Sequence, residues 1–162
     1  MSLAVVGSDA YKWWLALHIL LAVVWVGSDV AIQILAIRAK RAGPGRIAFF
    51  ASEIEWYGTR ILLPASLALV VIGFILLHVS AGAYDLGQGW VAFGFIVWLL
   101  SAGAGSFYLG PESGRLSKLV EERGPEDPEY HRRLNRVFLV SRIELLLLIL
   151  VVLDMAVKPG LN

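Results

Sequence analysis

The sequence predicts an all-α polytopic membrane protein: an antiparallel four-helix transmembrane bundle with both termini outside. Three observations carry this. The 162-residue chain is 58% apolar and 17% charged, where a soluble domain carries roughly 25% charged residues. Its apolar residues gather into four runs, each long enough for a hydrocarbon core about 30 Å thick. Its cations sit almost wholly in two of the connections between those runs. The 14 Lys and Arg balance 13 Asp and Glu, which excludes a basic nucleic-acid binder and an acidic disordered tail. Cys is absent, so disulfides, thiolate ligands and Cys nucleophiles are excluded as well. One membrane domain covering residues 1–162 is expected.

The first run, residues 13–37, is broken only by His18, Ser28, Asp29 and Gln33. It outlasts the apolar stretch of a secretory signal and passes straight into Arg38, Lys40 and Arg41, so a retained span is expected. The second run, 61–79, has Pro64 in its first turn, where the missing N–H costs little. The third is 90–110, and the fourth, 137–157, holds Arg142, Glu144 and Asp154.

Connections 38–60 and 111–136 carry eleven cations, against Lys12 and Lys158 on the other side. The positive-inside rule puts those two loops in the cytoplasm. In the first loop Ile47, Phe49, Phe50, Ile54, Trp56 and Tyr57 recur near helical spacing, which predicts an interfacial helix leading into the second span. In the second, residues 112–123 predict a short separate helix, with Leu116, Leu119 and Val120 on one side. Gly124-Pro125 stops it, and Pro128 opens the next helix. Ala102, Ser106 and Gly110 give the third span a small-residue face. That face suits packing within the bundle, a homo-oligomer, or docking to a larger membrane complex.

Polar groups inside a membrane are costly and are functional candidates. His18 shares one helix face with Trp14, Ala22, Trp25 and Asp29. Its imidazole either hydrogen-bonds a neighbour or ligates a metal, haem iron or copper. His78 ends the antiparallel second span, so both histidines fall in the outer leaflet and could clamp one haem. As a polar anchor at the interface, His78 needs no such role. His131 lies in a charged loop and is read as solvated. In the inner leaflet Asp29 and Arg142 match in depth, and their pairing would remove most of the insertion cost of either charge. Glu144 faces elsewhere and needs another partner, such as Arg60. A proton path or an anionic-substrate clamp is the functional alternative. No nucleotide-binding loop, metalloprotease motif or nucleophile elbow is present.

The stretch from Trp14 through His18 and Trp25 to Gly27 resembles the first helix of a bacterial family of uncharacterised four-span membrane proteins. Arg60-Ile-Leu-Leu-Pro64, Gly73, Leu109-Gly110-Pro111 and Val157-Lys158-Pro159 resemble that family too. The first helix and the ending also resemble, more distantly, HemJ-type protoporphyrinogen oxidases, and the first helix resembles copper-resistance proteins of the CopD type. The HemJ resemblance implies haem b, with His18 and Lys158 among the functional residues and Glu144 matching a Glu early in the last helix. His78 has no counterpart there, and Gly160 stands where that family closes with an aromatic residue.

Three function classes are therefore open. The first is a haem-b-binding protein in electron transfer or oxidoreductase chemistry, with His18, His78, Trp25 and Lys158 around the cofactor and Met155 an alternative ligand. The second is a cofactor-free assembly or binding subunit. Copper handling is third, because the chain has only two Met to offer as soft ligands.

Overall fold

The computed structural model describes residues 6–160, and all its regular structure is helical. Helix α1 (Asp9–Ala42) starts where Ser8 accepts a hydrogen bond from the Tyr11 N–H, and it has Lys40 and Arg41 in its last turn. At 34 residues it is about 50 Å long, well beyond the predicted 13–37. Gly43, at φ 113°, turns the chain in one residue, a backbone conformation that side chains with a Cβ rarely adopt. Helix α2 (Pro44–Tyr57) follows, then a π-helical turn (Gly58–Leu62) and α3 (Leu63–Val79). Helix α4 (Gly89–Ala104) repeats the device through a second π-turn (Gly105–Leu109) into α5 (Gly110–Arg123). Asp127 caps α6 (Pro128–Val157) by accepting from the Glu129 and Tyr130 N–H groups.

The two π-turns have a common cause. Each begins at a glycine six residues before a proline, Gly58 before Pro64 and Gly105 before Pro111. A proline inside a helix lacks the N–H and collides with the carbonyl four residues back. Widening the preceding turn, with Leu63 N–H donating to Gly58 and Gly110 N–H to Gly105, lets the helix continue past it. The α2 helix is thus continuous with α3, and α5 with α4. One sequence expectation is corrected here: helix α5 is not separate but continues α4. Helix α2 leads into the second span and packs on α5 and α1.

Asp9–Ala42, Gly45–Val79 and Gly89–Arg123 are each long and apolar enough to cross a membrane. Helix α6, of 30 residues, is the fourth long helix, and Arg142, Glu144 and Asp154 interrupt its apolar run. The four pack in a ring in which α1 touches α3 and α6, and α4 touches both of those as well. Core clusters mark three levels. Tyr11, Ile72 and Leu76 lie at the end bearing the chain termini, and Trp25, Val97 and Leu148 in the middle. Ala39, Ile47, Leu116, Tyr130 and Leu134 form the third at the opposite, basic end. Most of the two predicted loops is therefore an extension of the helix bundle with its own core. Of the small-residue face, Ser106 points outward while Ala102 and Gly110 are half-buried.

Candidate functional site

Ionisable side chains enter the helix packing at three levels. At the middle, the Gln33 amide on α1 donates to Ser141 Oγ on α6. The helices are antiparallel, so one turn toward the termini brings Asp29 opposite Glu144, and the two carboxyls lie within electrostatic reach. Asp29 is 7% exposed and its Oδ2 has no hydrogen-bond partner. Ser101, on α4, is also buried beside Glu144.

This corrects the expected charge pairing. Asp29 and Arg142 form no ion pair among the described residues; Arg142 is exposed and lines a cavity with Gln33, Lys40 and Arg41. Ser141 and Arg142 are adjacent, about 100° apart round the helix, and it is Ser141 that meets Gln33 on α1. Nor does Glu144 meet Arg60, whose guanidinium lies over the Trp56 ring.

Toward the termini, His18 is wedged against α3. Its Cε1 lies 3.6 Å from where a Cβ on Gly73 would stand, and the Leu69 backbone is a neighbour of the ring. Its Nδ1 is buried without a partner. His78 lies five residues beyond Gly73, about 7.5 Å along α3 and about 140° round it, and its side chain is exposed. The two imidazoles therefore do not face each other, and a haem clamped between them does not fit. Trp25 is core, packed with Val97 and Leu148.

Lys158 has a different setting from the one the sequence suggested. It caps α6 in the left-handed conformation, φ 48°, and its Nζ donates to Tyr84 Oη at 3.2 Å. The ammonium lies 4.6 Å from the Tyr84 ring centre and 5.4 Å from that of Trp90. Ser80, only 1% exposed, fixes Tyr84 by accepting its N–H and donating back to its carbonyl. Nearby, Asp154 Oδ2 and Trp90 Nε1 are buried without partners.

At the basic end, beyond the apolar run of the third helix, Glu112 is 6% exposed. It accepts from Arg133 at 2.8 Å and from Arg115 at 3.2 Å, and Arg133 also reaches Glu129 at 2.9 Å. Burial pushes the Glu112 carboxyl up, but the hydrogen bonds and charges of Arg133 and Arg115 outweigh it and hold the group below its ordinary range. Sequence reading missed this network. Its signal was faint: a Glu at the start of one helix and an Arg on another, with no spacing rule to join them.

Two cavities of about 230 and 240 Å³ open at this end, one between α1 and α6, the other lined by Tyr108, Glu112, Glu129, Arg132, Arg133 and Arg136. Among the described residues, no three His, Asp or Glu side chains gather as a metal-binding group. No curated protein and no solved structure matches the chain. A family model described as predicted integral membrane protein (DUF2269) matches residues 13–159.

Proposed function

Because the chain belongs to this family of predicted integral membrane proteins, we propose that it is a four-span bundle that takes up and passes on a proton at the Asp29–Glu144 pair. In this reading α6 crosses the bilayer with the others. Its cost is reduced, because Glu144 turns inward and Arg142 opens into the cavity that leads to the basic end. The eleven cations of residues 38–60 and 111–136 favour the cytoplasm for that end, and the resemblance to a bacterial four-span family favours the bacterial inner membrane.

One observation carries the reading: a buried carboxyl oxygen without a hydrogen-bond partner, beside a second carboxyl, at mid-bundle. Two carboxylates in low dielectric repel, and one proton removes both the repulsion and a buried charge. Ionisable groups facing a bundle interior are the usual parts of proton relays. Gln33, one turn away, lines the cavity that opens at the basic end, which supplies an entry. Asp154, about 15 Å farther along α6, has a buried free oxygen toward the other end.

The test is proton flux in liposomes loaded with a pH-sensitive dye. Asp29→Asn and Glu144→Gln should each abolish protein-dependent flux. Full flux in the double variant would overturn the reading.

Haem b held by His18 alone is a second reading, favoured by the unpartnered Nδ1. That nitrogen is the donor the protein would offer, and a bound haem would supply one-electron chemistry. A reduced-minus-oxidised spectrum of solubilised protein decides it. A haem band lost in His18→Ala supports the reading, and a colourless protein from haem-replete cells overturns it.

A further inference from the structure

The cavity between α1 and α6 is unlike the other opening at the basic end. Cavity walls there come from Gln33, Ala36, Ile37, Lys40, Arg41, Phe138 and Arg142: three cations and no carboxylate. In the second cavity Glu112 and Glu129 already neutralise arginines. Arg41 and Arg142 form no ion pair among the described residues, and Lys40 is held by a neutral partner, donating to Asn135 Oδ1 at 2.8 Å. Its ammonium also lies 5.7 Å from the Phe138 ring centre.

We propose that this cavity holds the phosphate headgroup of an anionic phospholipid. Charge complementarity names the occupant: an uncompensated triple positive site takes an anion, and guanidiniums grip phosphate oxygens in pairs. Position names the source. Lys40 and Arg41 stand where the apolar run of α1 gives way to cations, near the level of lipid phosphates. Arg142, five residues inside the α6 run, lines the same cavity, and Ile37 and Phe138 continue it as an apolar wall for the first acyl carbons. Basic pockets between helices on the cytoplasmic side are suited to such headgroups. The lipid site shares this cavity with the proton entry, but it rests on Lys40, Arg41 and Arg142 and not on Asp29 or Glu144. Lipid binding and proton flux therefore fail separately in the two sets of variants.

The test is binding of delipidated protein to phosphatidylglycerol, with phosphatidylcholine and inorganic phosphate as the other arms. Wild type should prefer phosphatidylglycerol. Arg41→Gln and Arg142→Gln should each lose about five-fold in that preference, the effect of one surface cation, and the double variant more. Arg142→Lys, which keeps the charge, should retain most of it and guards against a folding defect. Arg46→Gln, an exposed cation on α2, should match wild type. Equal binding of both lipids, a wild-type preference in the double variant, or an equal loss in Arg46→Gln would overturn the proposal. So would inorganic phosphate binding through Arg142 with no lipid preference.

Discussion

The Gln33 amide on α1 donates to Ser141 Oγ on α6, and with Lys40 on α1 donating to Asn135 on α6 this cross-link fixes which side chains of the two helices face each other. Because the two helices run in opposite directions, the next residues facing each other are Asp29 and Glu144. Arg142, about 100° round α6 from Ser141, is turned away from Asp29 and lines the cavity between the two helices instead.

If this contact holds the register, Gln33→Leu and Ser141→Ala should each destabilise the protein, and the double variant should cost less than their sum. Interhelical hydrogen bonds in membranes couple by about 0.6 to 1.7 kcal/mol. A double-mutant cycle on unfolding in detergent measures it, and strict additivity would show that the side chains do not interact.

The carboxyl pair predicts an asymmetry. Asp29→Asn removes a like-charge neighbour from Glu144, so the unfolding temperature should stay level or rise. Arg142→Gln should change stability by less than about 0.5 kcal/mol, as for an exposed side chain without a partner. An Asp29–Arg142 ion pair would give the reverse, with both variants losing stability and the double variant recovering part of it. Thermal unfolding of the three proteins separates the two arrangements.

At the other end, Lys158 combines a strained backbone with a cation held over two rings. Lys158→Met should lose the cation–π attraction, about 1 kcal/mol at a half-exposed site. Lys158→Gly loses the same attraction but relieves the left-handed conformation, so it should cost less than Met. Tyr84→Phe removes only the hydrogen bond and should fall below Lys158→Met. Chemical unfolding of the three variants gives the order, and a glycine variant weaker than the methionine one would refute the strain argument.

The sequence disclosed the four long helices, because apolar runs and their flanking cations report directly on burial in lipid. It did not disclose how far those helices continue, since the α5 face of Leu116 and the α2 face of Ile47 bury against each other, and a sequence pattern cannot separate a partner helix from an interface. The π-turns were foreshadowed by the two Gly-x5-Pro spacings, a signal that reads as a helix start until the widened turn is seen. Depth alone misassigned the charges. Asp29 and Arg142 lie at matching depth, yet the rotation of α6 about its axis decides which side chain faces α1, and Ser141 takes that place. The same limit applies to His78, matched to His18 in leaflet but turned away from it.

The Glu112 network gives a pH dependence with a definite sign. Its carboxyl is held below the ordinary range by Arg133 and Arg115 despite burial. The folded protein therefore binds a proton there less readily than the unfolded chain does. By linkage the group's stabilisation is fully present above the unfolded carboxylate value, about 4.3. It disappears as pH falls through the lower folded value. Acidification below about pH 5 should thus loosen the basic-end core of Leu116, Tyr130 and Leu134 first, read as faster amide exchange in α5 and the start of α6. Glu112→Gln should be less stable at neutral pH and lose less on acidification. Arg133→Gln leaves the buried carboxylate with Arg115 alone, itself largely exposed. It should destabilise more than Arg115→Gln and move the acid transition to higher pH. An unchanged acid transition in both Glu112→Gln and Arg133→Gln would show that other carboxyls govern the response.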